Sequence, residues 1–166
     1  RSPGKDCVEL KVDQDFTYTK AIKACLRQLP EWILLSEARS VEVKYLLESM
    51  STGTHCLTTL HTDDVRKIPD RVKNMMPQIN AQTENDIYSF INVGIQVRSY
   101  ETEYGIQRKI AQIALFSRDL MTGKNSMTML YNEGAYGDDP FPEEILWKFE
   151  SAGIDPRKNY PGVLTQ

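Results

Sequence analysis

Two polar side chains, Glu37 and His61, each follow a short apolar run. The run "WILLSE" ends in Glu37, and "HCLTTLH" ends in His61. Continuous apolar runs of this length are typical of strands in parallel sheets, and ligands of open α/β sheets bind beyond the carboxyl ends of the strands. There, a carboxylate can hold Mg²⁺ or orient water, and an imidazole can contact a phosphate. The pair therefore indicates nucleotide hydrolysis.

Two other interpretations of these residues remain open. In the first, Glu37 only caps a helix that begins near Ser40, and His61 is an ordinary residue at a strand end. In the second, the chain is a metal-dependent hydrolase that uses His61, Asp63 and Asp64. No second cluster completes a coordination sphere around these residues.

The segments around Glu37 and His61 alternate between helix and strand over about 8–76. Apolar residues recur at helical spacing before, between and after the two runs, and Pro69 must kink or subdivide the last of these helices. Such alternation predicts parallel strands joined by right-handed crossovers, with helices covering both faces of the "WILLSE" strand. The helical positions are Ile22, Cys25, Leu26 and Leu29; Val43, Leu46, Leu47 and Met50; and Val65, Ile68, Val72 and Met75.

The pattern changes after Gln82. Three antiparallel strands are predicted over about 87–132, and a closing helix over about 141–152. The segment "EGAYGDDPFP" reads as a linker before that helix. The expected architecture is one α/β domain over 1–166 in which a parallel part precedes an antiparallel meander and a C-terminal helix.

Composition limits the class of protein. The chain has 166 residues, of which 40% are hydrophobic, and a formal charge of -3, so it can form one core but carries no global signature of nucleic-acid binding. Cys7, Cys25 and Cys56 are odd in number and lack a CxxC motif, which favours a reducing cytoplasm. No stretch approaches the roughly 18 apolar residues of a membrane span.

The segment "ACLRQLPEWILLSEARSVEVKYLLESMSTGTHCLTTLHT" resembles the type II/IV secretion ATPases, the traffic ATPases of type IV pili, secretion and DNA uptake. The resemblance implies a partial RecA-like P-loop NTPase core. It makes Glu37 the Walker B glutamate, which acts on Mg²⁺, through water, and on the attacking water. His61 becomes the histidine-box residue that senses the γ-phosphate. Arg39 and Arg27 match the arginines that follow Walker B and lie in the LR-x-x-P segment, and both are assigned to nucleotide binding.

The resemblance also implies partners and a location. The parent protein is expected to be a homo-hexamer at the cytoplasmic face of membrane-embedded secretion or pilus machinery, with no direct nucleic-acid contact. Arg98 and Arg108 match arginines of the family hairpin, and we assign them no chemistry. Thr54 stands where the family has the first histidine of the box, and we expect His55, one place later, to serve only in packing.

The sequence contains no G-x-x-x-x-G-K-[ST] segment, because "GKD" and "GKN" lack both the hydroxyl residue and the upstream glycine of a phosphate loop. This absence and the missing first methionine indicate a C-terminal part of a motor domain. We expect the parent to be a Mg²⁺-dependent ATPase, and the chain alone to be inactive and to hold neither Mg²⁺ nor ATP tightly. The alternative is a non-hydrolysing ring-assembly module.

Overall fold

The structure, a computed structural model, describes residues 6–156. These residues form two compact units. The first comprises the residues up to Leu60 together with Met75–Pro77, and the second comprises His61–Asn74 together with the residues from Gln78 onward. No helix within 6–156 is both long and apolar enough to cross a membrane.

The first unit contains two helices and two parallel strands. Trp32 pairs with His55 and Leu35 with Thr58, so the predicted parallel pairing is confirmed. The α2 stripe is buried at Val43, Leu46 and Leu47, as its spacing predicts, whereas the α1 stripe is buried at Ile22 and half-buried at Cys25 and Leu26. The elements are α1 (Tyr18–Leu26), β1 (Trp32–Leu35), α2 (Glu42–Ser51) and β2 (His55–Thr58).

The prediction that helices cover both faces of β1 is wrong for this unit. Ile33 and Leu35 are buried, whereas Trp32 is 58% exposed and Leu34 is 67% exposed. Helix α2 lies on one side of the two-stranded sheet, where the Cys56 Sγ is 3.9 Å from the Leu46 carbonyl oxygen. Burial there raises the pKa of the Cys56 thiol to about 11.

Helix α1 ends earlier than the apolar spacing predicts. Leu29 lies beyond the helix, is 88% exposed and has a φ of 50°, so its assignment to the buried face is wrong. The reason is Pro30, which disfavours helical backbone at the preceding residue. Thr17 begins the helix by accepting a hydrogen bond from the Lys20 amide at 3.5 Å.

Pro69 divides the segment after His61 as predicted. A 3₁₀ turn (Val65–Lys67) precedes helix α3 (Ile68–Met75), which places Pro69 in the first helical turn, where its missing amide costs little. The predicted apolar positions Val65, Ile68, Val72 and Met75 are all buried.

The second unit is built on an antiparallel sheet of strand order β3-β4-β5-β6. The three predicted strands are confirmed, but the segment predicted to be a linker contains a short fourth strand that pairs Tyr136 with Tyr131. The sheet register shifts twice, at Gln96/Val97 and at Ile113/Ala114. The strands are β3 (Val93–Thr102), β4 (Gly105–Arg118), β5 (Asn125–Asn132) and β6 (Ala135–Tyr136).

Two helices complete the second unit. Helix α4 (Ala81–Phe90) was not predicted, although Asn80 and Thr83 form the capping box that begins it. Helix α5 (Glu143–Ser151) is the predicted closing helix and packs Ile145 with Leu115. Gly94 allows a close approach on the sheet, because a Cβ there would lie 2.5 Å from the Ile68 Cδ1.

Candidate functional site

Glu37 lies two residues after β1 and is ion-paired. Its Oε2 accepts a hydrogen bond from the Arg39 Nη2 at 2.6 Å, and its side chain is 20% exposed while that of Arg39 is 73% exposed. The Glu37 carboxylate raises the pKa of Arg39, first through this hydrogen bond and second through its charge. The structure thus brings together two of the predicted site residues.

Hydrogen bonds to Thr59 hold the turn that carries Glu37. The Thr59 hydroxyl donates to the Ser36 carbonyl at 2.6 Å, and the Ala38 amide donates to the Thr59 carbonyl at 2.8 Å. These bonds flank Glu37 on both sides. Parallel pairing therefore continues past the ends of β1 and β2, and it fixes the backbone from which the carboxylate projects.

Glu42 is a buried carboxylate that the sequence interpretation missed. Its Oε1 accepts hydrogen bonds from the Arg39 amide at 2.5 Å and the Ser40 amide at 2.8 Å. These amides belong to the loop just ahead of α2, so Glu42 rather than Glu37 fixes the backbone that leads into the helix. The signal was present, since glutamate is favoured in the first turn of a helix.

Arg27 and His55 lie elsewhere in the first unit. Arg27 is the exposed residue that ends α1. His55 begins β2, and its ring centroid lies 4.9 Å from that of Trp32. The expectation that His55 serves in packing is consistent with this contact, which lies on the exposed side of the sheet.

His61 belongs to the second unit and lies three residues beyond the end of β2. The prediction that strand β2 runs as far as His61 is therefore wrong. The His61 side chain lines a cavity of about 420 Å³ with Thr62, Asp63 and residues of the following helical segment. The other lining residues are Lys67, Asp70, Arg71 and Asn74.

The carboxylates that follow His61 are engaged with cations. Asp63 accepts a hydrogen bond from the Lys67 Nζ at 2.8 Å, and Asp64 accepts one from the Arg66 Nη2 at 2.6 Å. The Asp64 side chain also accepts a hydrogen bond from the Arg66 amide at 2.8 Å, so Asp64 is the residue that begins the helical segment. Within 6–156, no three His, Cys, Asp or Glu residues are grouped to hold a metal ion.

The loop 61–65 is also bonded to the antiparallel sheet. The Gln96 Nε2 and the Arg98 Nη2 donate to the Asp63 carbonyl, the latter at 3.2 Å. The buried Val65 amide donates to the Gln112 Oε1 at 3.0 Å. Sequence reasoning missed both glutamines, because an isolated glutamine in a strand carries no signal of what it contacts. It did match Arg98 to a family arginine.

Comparison with known proteins places the chain in a family. The model of the family described as type II/IV secretion system protein matches residues 1–97, which is more than half of the chain and includes both Glu37 and His61. An uncharacterized protein of Bacillus anthracis is 32% identical over 100 residues, covering 58% of this chain and 23% of that protein. The type IV pilus retractation ATPase PilT of Pseudomonas aeruginosa is 26% identical over 117 residues, 70% of this chain and 32% of PilT.

The fold is similar to that of a solved ATPase. The X-ray structure of the Yersinia pseudotuberculosis ATPase DotB aligns with 61% of this chain and 26% of its own length, at a TM-score of 0.52 and 15% identity. At that identity the likeness concerns the fold alone, and it confirms the partial RecA-like α/β architecture. The chain spans between about a quarter and a third of the length of these relatives. With the family model matched over 97 residues, this chain belongs to the type II/IV secretion system protein family.

Proposed function

We propose that this chain is part of an ATPase that drives secretion, pilus assembly or DNA transfer, and that Glu37 and His61 act in hydrolysis. The main support for this proposal is the family match, which covers both residues. The Glu37 carboxylate follows a parallel strand, where ligands of α/β sheets bind. In this proposal Glu37 acts on the metal and the attacking water, and His61 senses the γ-phosphate.

The chain contains some, but not all, of the groups that a site for a magnesium nucleotide needs. A carboxylate oxygen is the type of ligand that Mg²⁺ takes, usually with several waters retained, and Glu37 would hold the ion in this way. The ion would supply charge neutralisation at the β- and γ-phosphates. Arg39 and Arg27, both exposed cations, would contact the nucleotide. The chain has no Walker A segment to cradle the phosphates.

The proposed assembly is a homo-hexamer that works at the cytoplasmic face of membrane-embedded secretion or pilus machinery. The support is family membership together with the relative named as a pilus retractation ATPase. Exposed apolar side chains at Trp32 and Leu34 offer surface for contacts within such a ring.

The test uses the longer protein in which this chain is proposed to lie. Glu37→Gln should lower turnover by about 10²-fold or more, as expected on losing a group that orients water or holds metal, and leave nucleotide binding within a few-fold. His61→Ala should likewise impair hydrolysis more than binding. Phosphate release and titration with a non-hydrolysable analogue measure the two quantities.

Glu48→Gln provides the control, because Glu48 is an exposed acid of the same unit that pairs only loosely with Lys44, at 3.7 Å. It should leave turnover unchanged. Normal turnover in Glu37→Gln would remove Glu37 from the mechanism. A longer protein that assembles into rings but never hydrolyses ATP would favour the alternative, a non-hydrolysing assembly module, for which the missing Walker A segment is the supporting observation.

A further inference from the structure

We propose that Arg98, Gln96 and Gln112 of the β3–β4 hairpin, with Glu133 behind Arg98, hold the loop 61–65 and thereby position the His61 imidazole. The inference rests on the proposed function of His61 and adds positioning residues to it. None of the four residues is assigned contact with nucleotide. All of them belong to the same unit as His61.

The first point of attachment is the Asp63 carbonyl, two residues after His61. It accepts from both the Gln96 Nε2 and the Arg98 Nη2, which project from the same side of β3. Gln96 is 8% exposed, and its Oε1 is buried without a hydrogen-bond partner in the described part of the chain. A buried amide left half satisfied is unfavourable, and the amide nitrogen of this one binds the loop.

The second point of attachment is Gln112, which is 3% exposed. Its Oε1 accepts from the Val65 amide at 3.0 Å, and its Nε2 donates to the Asp64 Oδ2 at 3.4 Å and to the Asn132 Oδ1 at 3.1 Å. The buried Gln112 side chain thus binds both the backbone and a carboxylate of the loop, while its amide nitrogen is also hydrogen-bonded to Asn132. The loop is fixed at three consecutive residues, 63 to 65.

Glu133 adds an observation that stability alone does not explain. It is the first residue of the two-residue turn between β5 and β6, with a φ of 48°, and Gly134 follows with a φ of 97°. Such turns favour Asn, Asp or Gly at the first position, so glutamate is unfavourable there. Its carboxylate binds the Arg98 Nη1 and accepts from the Tyr100 hydroxyl at 2.9 Å. A strained residue persists where the surrounding contacts require it.

The conformation of Glu133 allows a test that separates positioning from stability. Glu133→Asn installs a residue that suits the turn but is too short to reproduce the contact with Arg98. We expect the melting temperature of this variant to be equal to or above that of the parent chain. Amide hydrogen exchange at residues 62–65 should nevertheless accelerate by about tenfold, because the loop opens locally.

Arg98→Ala should accelerate exchange at the same amides. The double variant, which carries both Arg98→Ala and Glu133→Asn, should exchange no faster than Arg98→Ala alone, because both substitutions break the same chain of contacts. Arg98→Lys should restore protection only in part, because a lysine cannot fork between Glu133 and the Asp63 carbonyl. Arg108→Ala, on the exposed part of the neighbouring strand, is the matched control and should change nothing. Unchanged exchange in both Arg98→Ala and Glu133→Asn would overturn the proposal, as would acceleration spread over both units with a lower melting temperature.

Turnover of the longer protein supplies the functional measurement. Arg98→Ala should lower kcat with little change in KM, and Arg98→Lys should recover part of it. If His61→Ala lowers turnover and Arg98→Ala does not, the positioning inference is wrong while the proposed function stands. If His61→Ala leaves turnover normal, the proposed role of His61 fails, and the exchange data alone decide whether the hairpin holds the loop.

Discussion

At the scale of single residues, the Glu37 carboxylate binds Arg39 in the structure, and we propose that it also binds Mg²⁺. The Arg39 Nη2 lies 2.6 Å from the Glu37 Oε2, but the Arg39 side chain is 73% exposed. Exposed ion pairs contribute little, typically about 0 to 1 kcal/mol. In the mechanism that we propose, a divalent cation arriving at Glu37 would displace the weakly held Arg39, whose guanidinium would then contact a phosphate.

Asp64 gives a prediction of pH dependence. The hydrogen bond from Arg66 is the main reason that the pKa of Asp64 lies below its ordinary value of 3.8. A carboxyl group with a lowered folded-state pKa stabilises the protein above its unfolded-state pKa, and that stabilisation is lost as the pH falls through the folded-state pKa. Asp64→Asn should therefore destabilise the chain at pH 5 to 7 by about 1 kcal/mol, or a few degrees of melting temperature.

The difference between the parent chain and Asp64→Asn should shrink as the pH falls below about 4, near the ordinary carboxyl pKa. Thermal unfolding of both proteins at pH 7, 5, 3 and 2 measures it. A difference that stays constant across this range would show that the Asp64 charge contributes nothing, and that only the shape of the side chain matters.

At the scale of elements, Glu42 holds the loop that leads into α2. Glu42 is buried and accepts from the Arg39 and Ser40 amides. Glu42→Ala should lower the free energy of unfolding by about 1 to 2 kcal/mol, because two amides lose their acceptor. Glu48→Ala, on the exposed face of the same helix, should cost only a few tenths of a kcal/mol. Urea unfolding monitored by circular dichroism compares the two variants. Equal losses of unfolding free energy would argue against this role of Glu42.

The elements that sequence predicts well are those whose apolar spacing is buried. Val43, Leu46 and Leu47 in α2 are such a case. The errors occur where local rules compete with spacing. Leu29 keeps helical spacing, yet Pro30 removes it from the helix, and α4 was missed because its apolar stripe is short.

The site is predictable only in its local parts. Glu37 and Arg39 are two residues apart, so a turn brings them together, and family spacing identifies both. The attachment of the loop after His61 is different, because Val65 and Gln112 are 47 positions apart. Such a contact depends on sheet register and on two shifts in it, neither of which leaves a signature in the sequence.

At the scale of the whole molecule, the chain 1–166 alone should show no measurable ATP hydrolysis. Phosphoryl transfer depends on positioning and charge neutralisation, and no segment of this sequence supplies a phosphate loop with its lysine. Phosphate release with Mg²⁺-ATP and calorimetric titration with a non-hydrolysable analogue measure activity and binding. Sustained turnover that Glu37→Gln abolishes would reveal a phosphate site elsewhere in the chain.

The register shift between β3 and β4 makes the shape of the hairpin depend on the number of residues in β4 as well as on their types. Gln96 faces Gln112 while Val97 faces Ile110, which leaves Ala111 as an extra residue. Such a bulge increases the local twist of the strands. Loss of Ala111 would remove the carbonyl that accepts from the Glu133 amide at 2.8 Å, and it would straighten β4, the strand beside the one from which Arg98 reaches the Asp63 carbonyl. If the hairpin holds the loop as we propose, a one-residue gap at this position in an alignment would mark family members in which the loop after this histidine is held less firmly.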